Sequence, residues 1–238
     1  MRIRLPLGRS LFFLCAFLFA MLALFPLRLG LDWLGLVQRG FAAREARGSI
    51  WFGGLSEAQL GSVALGDLAA RLQGLPLLLG RARVDVQRVD ERDALSGGLT
   101  VSRHSFGIDD VTGEVDVGAA FAPLPVARLD LGDLSARFNE SLCASAEGRV
   151  RATLAGEVAG LTLPGGFSGN ARCDDGAMLL PMVSQTGMEA LNLRLYGDGR
   201  YRIELAVRPS DDAMRDRLVR AGFALTSGGY VLRASGEL

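Results

Sequence analysis

The most persistent pattern in this chain is an alternation of apolar and polar residues in short runs bounded by glycine. In the run 81–87, Ala82, Val84 and Val86 occupy alternate positions, and arginine, aspartate and glutamine stand between them. Successive side chains of a β-strand point to opposite faces, so this spacing predicts a strand with one buried face. Similar alternation occurs at 108–117, 126–131 and 149–154. We expect about a dozen strands and an all-β, mostly antiparallel fold.

The clearest pair of strands lies near the C-terminus. Apolar residues occupy alternate positions from Leu191 to Leu195 and again from Tyr201 to Val207, with Gly197-Asp198-Gly199 between the two runs. Glycine and aspartate tolerate the positive φ that tight turns require. Turn and strands therefore agree, and the segment predicts a β-hairpin.

One C-terminal helix is expected over residues 209–222. Ser210 is a candidate N-cap, acids follow in the first turn, arginines lie in the last turns, and Gly222 marks the end. The apolar stripe of this helix consists of Met214, Leu218 and Val219. We expect the helix to lie over an open end or edge of the sheet, where it would protect unpaired backbone.

Near the N-terminus the hydrophobicity is continuous instead of periodic. Residues 11–25 are all apolar, and Pro26-Leu27 extends the run to seventeen residues. A helix of that length covers about 25 Å, which with its flanks approaches a hydrocarbon core of about 30 Å. Residues 1–28 are therefore predicted to form a cytosolic tip and a transmembrane signal anchor. The alternative is a cleavable signal peptide, but no small-x-small step ends the apolar run.

The charges around this run predict its orientation. Arg2, Arg4 and Arg9 precede it, and no acid occurs among the first 27 residues. The positive-inside rule then keeps the N-terminus in the cytosol and exports the rest of the chain. Residues 29–47 are interpreted as a juxtamembrane helix or spacer, with a partner-binding helix as the alternative. Residues 48–238 are interpreted as the exported β-rich domain.

Composition narrows the class of the exported part. From Arg28 onward, 23 arginines face 26 acids, a net charge of −3 that argues against a nucleic-acid surface. The 31 glycines of the chain recur between short apolar runs, which favours many short strands. Both a sandwich and a curved half-pipe of strands fit this spacing.

The inventory of reactive side chains argues against catalysis. His104 is the single histidine, its neighbours Ser102 and Ser105 lie in a polar turn-like stretch, and no G-x-S-x-G elbow occurs. One histidine and three cysteines do not supply a usual zinc site, and neither phosphate-binding glycine motif is present. We therefore expect no enzyme activity, no metal and no cofactor. The acid pairs Asp109-Asp110, Asp174-Asp175 and Asp211-Asp212 are interpreted as turn and cap residues.

An ordered set of short motifs resembles a known family. The motif Gly48-Ser49-Ile50-Trp51 precedes Phe52 and Gly53, and it is expected to form a first strand that packs its tryptophan on the sheet. The segments 60–66 and 75–81 follow, the latter reading L-P-L-L-L-G-R, and then a cysteine pair and a glycine-punctuated C-terminus. With the N-terminal anchor, this order resembles the type II secretion system protein N family.

The resemblance implies a function and a location. The chain would be a non-enzymatic subunit anchored by one span in the inner membrane, with its β domain in the periplasm. It would assist the export of folded proteins across the outer membrane and contact other type II secretion components. The alternative is a periplasmic lipid-transfer protein that holds acyl chains in a β-groove.

The cysteine pair is also part of the resemblance. Cys143 and Cys173 fall in the exported part, where an oxidising compartment lets a disulfide persist, and they resemble the pair expected in the family. Two free buried thiols are the alternative. Cys15 lies in the apolar run and is expected to be a reduced apolar filler.

Overall fold

The computed structural model of the chain describes residues 7–33, 40–89, 95–118, 120–158, 161–162, 166–209 and 211–237. The helices in these ranges are α1 (Leu7–Ala23), α2 (Leu27–Trp33), α3 (Gly74–Leu77) and α4 (Asp212–Arg220). The first nine strands are β1 (Phe41–Ala42), β2 (Glu45–Gly48), β3 (Gly53–Leu60), β4 (Val63–Gln73), β5 (Ala82–Arg88), β6 (Ser96–Val101), β7 (Ser105–Asp116), β8 (Val126–Asn139) and β9 (Leu142–Leu154). The others are β10 (Glu157–Val158), β11 (Leu161–Thr162), β12 (Gly166–Asn170), β13 (Arg172–Asp174), β14 (Ala177–Ser184), β15 (Glu189–Leu195), β16 (Arg200–Val207), β17 (Ala224–Thr226) and β18 (Gly229–Glu237).

Sixteen of these strands form one antiparallel sheet, which confirms the all-β antiparallel fold. Its order is β1-β3-β4-β5-β6-β7-β8-β9-β12-β14-β15-β16-β18-β17, with β2 on β3 and β13 on β14, while β10 and β11 pair separately. Most spatial neighbours are therefore also neighbours in sequence. The strands outnumber the expected dozen because β1, β2, β10, β11, β13 and β17 have only two to four residues, too few to show a periodic pattern.

The pairing register shifts at several positions along the long strands of the sheet, and three of these bulges share one feature. At each one an acidic residue adopts a positive φ, and a side-chain oxygen of the neighbouring strand accepts its backbone N–H. The pairs are Glu57 with Asp67 at 2.8 Å, Asp110 with Ser135 at 2.9 Å and Asp133 with Thr112 at 3.0 Å. Bulges increase local twist, so these three positions curve the sheet. The interpretation of Asp109-Asp110 as turn residues is wrong, because both lie inside β7.

The predicted C-terminal hairpin is confirmed. β15 pairs with β16 in a register that places Leu195 opposite Tyr201. Leu191, Leu193, Ile203 and Leu205 are at most 1% exposed and lie in the main core. Alternating burial is weaker in β5, where Ala82, Val84 and Val86 are only half-buried, as are Arg83 and Asp85.

The link between β7 and β8 packs against the apolar face of the sheet and covers part of the main core. The link from β7 to β8 places Phe121 and Leu124 in the core, where each is at most 2% exposed. The Phe121 and Tyr201 rings meet edge to face at 5.1 Å, and the Tyr201 hydroxyl donates to the Ala120 carbonyl at 2.6 Å. The apolar face of the sheet is therefore occupied along this stretch.

The predicted C-terminal helix is present as α4, and part of its predicted capping and packing is confirmed. Its N-cap is Asp211, whose side chain accepts from the Met214 N–H at 2.7 Å, and Ser210 lies outside the described residues. Gly222 follows the helix with φ +88°, as a helix stop requires. Leu218 is fully buried in the main core, but Val219 is 57% exposed and does not belong to the buried stripe.

Candidate functional site

The motif Gly48-Ser49-Ile50-Trp51 lies at the tip of the β2–β3 hairpin. Ser49 and Phe52 exchange two backbone hydrogen bonds of 3.2 Å, which leaves a two-residue turn between them. Gly48 permits the reversal, because its φ is +87° and a Cβ there would lie 2.5 Å from the Phe52 carbonyl oxygen. The expected first strand across this motif is wrong, since β2 ends at Gly48 and β3 begins at Gly53.

The segment between α1 and α2 is bound to this tip through backbone contacts. The Ile50 N–H donates to the Phe25 carbonyl at 3.0 Å, and Pro26 forms an antiparallel bridge with Ser49. The Ile50 carbonyl in turn accepts from the Leu72 N–H at 3.2 Å. One residue of the motif thus joins the N-terminal helices, the hairpin and β4.

The helix α2 packs closely on the same hairpin. A Cβ added at Gly30 would lie 2.7 Å from the Cγ2 of Ile50, so the missing side chain permits this approach. Leu27 is 7% exposed at the start of the helix. It belongs to a small second core with Leu55, Ala58 and Leu68. The helix is therefore part of the folded β unit at this end of the sheet.

Apolar side chains remain exposed around the tip. Phe52 is exposed, and the Arg71 guanidinium lies over its ring at 4.8 Å. Trp51 lies near Gly74, where an added Cβ would be 3.6 Å from the ring. The next turn, which joins β4 to β5, exposes Leu75, Leu78 and Leu79. The periodicity of apolar residues does not identify this loop as a functional surface. The feature that could have identified it is a run of apolar residues between two glycines that contains no acid.

The helix α1 is apolar and exposed on the part that the structure describes. Phe12, Phe17 and Phe19 are 63 to 73% exposed. No helix within the described ranges is long and apolar enough to cross a membrane. Arg2 and Arg4, which predict the orientation of the membrane span, lie outside the described residues.

The cysteines Cys143 and Cys173 are joined by a disulfide, with their Cα atoms 5.6 Å apart. The bond links β9 to β13, two strands that share no backbone pairing in the sheet. The Cys143 N–H also donates to the Gly176 carbonyl at 2.8 Å, at the turn between β13 and β14. The disulfide therefore ties the end of the β9 ladder to the following hairpin. Cys15 is a free, exposed thiol of α1.

The candidate reactive side chains lie in an exposed turn. His104 is 72% exposed, and its Nδ1 is 4.0 Å from a carboxylate oxygen of Glu140. The hydroxyls of Ser102 and Ser105 lie 2.6 Å apart and bond to each other. No group of three potential metal ligands occurs among the residues that the structure describes.

The pKa of the Asp198 carboxyl group is shifted by its hydrogen bonds. The Arg200 N–H donates to the Asp198 carboxylate at 3.1 Å, and this backbone hydrogen bond lowers the pKa of Asp198 below its ordinary value of 3.8. The guanidinium of Arg200 adds a second hydrogen bond at 2.7 Å. These contacts stabilise the turn between β15 and β16, so the shifted pKa has a structural cause.

The outward face of the C-terminal strands is polar. A depression there is lined by Leu179 and by polar residues, namely Arg172, Asp174, Asn192, Arg194, Arg202 and Glu204. Two ion pairs cross this face, Arg194 with Asp174 and Arg233 with Glu204. The arrangement suits recognition of a polar surface more than enclosure of a small molecule.

Comparison with known proteins gives one match. The family model described as type II secretion system protein N matches residues 39–233. Neither the curated proteins nor the solved structures contain a significant match. The matched range includes the hairpin tip, the exposed leucine loop and both bridged cysteines.

Proposed function

The chain belongs to the type II secretion system protein N family and is therefore a type II secretion component, and we propose that it is a non-enzymatic accessory subunit attached to the inner membrane. In this proposal the β domain lies in the periplasm and contacts other secretion components. The family match supports the secretion role, because it covers residues 39–233 with the hairpin motif, the 75–81 segment and the cysteine pair.

The proposed membrane attachment rests on the N-terminal segment. The apolar run 11–27 is preceded by three arginines and by no acid, and the α1 side chains that the structure describes within it are exposed. An exposed apolar surface of this size is costly in water and favourable in lipid. The helix α1 itself covers about 25 Å. A full crossing therefore requires residues beside α1 to contribute.

The proposed mode of action is surface contact. The connection from β7 to β8 and helix α4 fill the apolar face, and the C-terminal face carries paired charges. A protein that carried acyl chains would need an apolar groove that its own side chains do not occupy. We therefore rank protein contact above the lipid-transfer alternative, which the following experiment also addresses.

Deletion of the gene tests the proposal. We expect secreted enzymes to be folded and retained in the periplasm, with outer-membrane lipid composition unchanged. The control is the same strain carrying the full-length gene. Normal secretion, together with acyl chains that co-purify with the protein, would overturn the secretion role in favour of lipid transfer.

A further inference from the structure

Four exposed apolar side chains cluster at one end of the sheet, and we call them the apolar tip. They are Phe52 at 66%, Leu75 at 80%, Leu78 at 83% and Leu79 at 79% exposure. Single exposed leucines are ordinary on protein surfaces, whereas a contiguous group marks a contact surface. Three of the four belong to the eight-residue connection 74–81 between β4 and β5, so these three lie close together along the chain.

The two turns that carry the apolar tip are adjacent in space. β3 and β4 pair so that Gly53 lies opposite Ala70, which brings the β2–β3 turn beside the end of β4. The Ile50–Leu72 hydrogen bond and the approach of Trp51 to Gly74 connect the same two turns. The apolar tip is therefore one surface formed by two chain reversals.

This surface adjoins the segment proposed to enter the membrane. The Phe25 carbonyl, two residues beyond the end of α1, accepts the Ile50 N–H at 3.0 Å. Any arrangement that places α1 in a bilayer therefore holds the apolar tip close to that bilayer. Trp51 belongs to the same turn as Phe52, and tryptophan is enriched at the headgroup level of membrane proteins.

The charge of the apolar tip fits an anionic lipid surface. No acid occurs from residue 46 to 56 or from residue 68 to 84. Arg28, Arg71 and Arg81 are exposed in or beside these stretches, and none of them forms an ion pair with another described residue. Arginines beside exposed apolar side chains are typical of surfaces that bind anionic headgroups while their apolar residues enter the acyl boundary.

From these observations we infer that the apolar tip inserts into the periplasmic leaflet of the inner membrane and forms a second membrane contact beside α1. The inference rests on the proposed membrane attachment. Two contacts would fix the orientation of the sheet relative to the bilayer, because a single contact would let the sheet tilt about it. The polar C-terminal face would then be presented to other secretion components at a defined angle.

Depth-dependent fluorescence quenching tests this contact in the full-length protein. Single probe sites are made in a Cys15→Ser background by Leu78→Cys in the apolar tip, Leu18→Cys in α1 and Leu225→Cys in β17. Leu225 is a matched control, because it is 73% exposed but lies on the opposite edge of the sheet. Each labelled protein is reconstituted in phosphatidylglycerol–phosphatidylcholine vesicles that contain a brominated lipid.

We expect quenching at positions 18 and 78 and none at position 225. Quenching at position 18 with position 78 as unquenched as position 225 would overturn the second contact and leave the anchor in place. Loss of quenching at position 18 would overturn the anchor and this inference with it. If the probe at position 78 is unquenched by lipid and becomes shielded from solvent only after other secretion components are added, the surface binds a protein partner instead.

The arginines provide an independent test of the lipid chemistry. The double variant Arg71→Gln, Arg81→Gln should weaken insertion of position 78 into anionic vesicles by about fivefold for each arginine removed. The matched control is Arg217→Gln, Arg220→Gln, since both of these exposed arginines lie on α4. Equal effects of the two double variants would contradict the charge argument.

Discussion

At the scale of single residues, Gly48 determines whether the hairpin tip can form. Its φ of +87° and the 2.5 Å separation between an added Cβ and the Phe52 carbonyl both exclude a side chain. We expect Gly48→Ala to lower the free energy of unfolding by about 1 to 3 kcal/mol. Gly54→Ala is the control, because nothing lies within 4 Å of a Cβ at that position. Denaturant unfolding measures both, and equal losses would contradict this role of Gly48.

The carboxylate of Asp198 gives a prediction about pH. Its pKa is lowered chiefly by the backbone hydrogen bond from Arg200, so the folded protein holds this group charged more strongly than the unfolded chain does. The stabilising contact is therefore complete above the ordinary pKa and is lost as the pH falls through the lowered folded-state pKa. An NMR titration of the side-chain carboxyl should give a midpoint below 3.8. A midpoint at or above that value would show that the turn does not favour the charged form, and Asp198→Asn should remove the titration.

At the scale of helices and strands, the disulfide supplies a connection that backbone pairing does not. Cys143 and Cys173 are 30 residues apart in sequence, and they join β9 to β13. We expect Cys143→Ser or Cys173→Ser to lower the free energy of unfolding by about 3 to 4 kcal/mol, because the disulfide reduces the conformational entropy of the unfolded chain. Cys15→Ser is the control and should change the folded β domain little. Labelling of both thiols in denatured, unreduced protein would contradict the bond.

Leu218 is the fully buried side chain of α4, and Met214 packs beside it against the main core. Leu218 is fully buried in the main core, whereas its neighbour Val219 is 57% exposed. Leu218→Ala should cost about 2 to 5 kcal/mol of unfolding free energy because it leaves a cavity. Val219→Ala should change stability by less than about 0.5 kcal/mol. Thermal unfolding of the two variants distinguishes them, and similar melting temperatures would show that α4 does not depend on core packing.

Elements whose signals are local can be predicted from the sequence, and those that depend on distant partners cannot. The 191–207 hairpin is predictable because its alternation and its turn residues occur in one segment. The positive φ of Glu57 and Asp110 is not, since the oxygen that accepts each N–H is 10 or 25 residues away. The Ile50 turn likewise depends on the Phe25 carbonyl, which is distant in sequence.

At the scale of the whole molecule, we propose that the two ends of the sheet make different contacts. The end that carries the hairpin tip is joined to α1, and the C-terminal end presents a polar face. In the proposed function, tethering would raise the local concentration of that face at a membrane-borne apparatus, so attachment should matter even when the fold is intact. Attachment can be separated from folding, because α1 ends at Ala23 and the contacts to the β domain begin at Phe25.

The most direct measurement is the fraction of a secreted enzyme retained in the periplasm of a deletion strain that expresses three versions of the protein. One is the full chain, the second replaces residues 1–24 with a cleavable signal peptide, and the third replaces them with an unrelated single-span anchor. We expect low retention with the first and third versions and high retention with the second. Equal, low retention with all three would contradict a role that depends on membrane attachment.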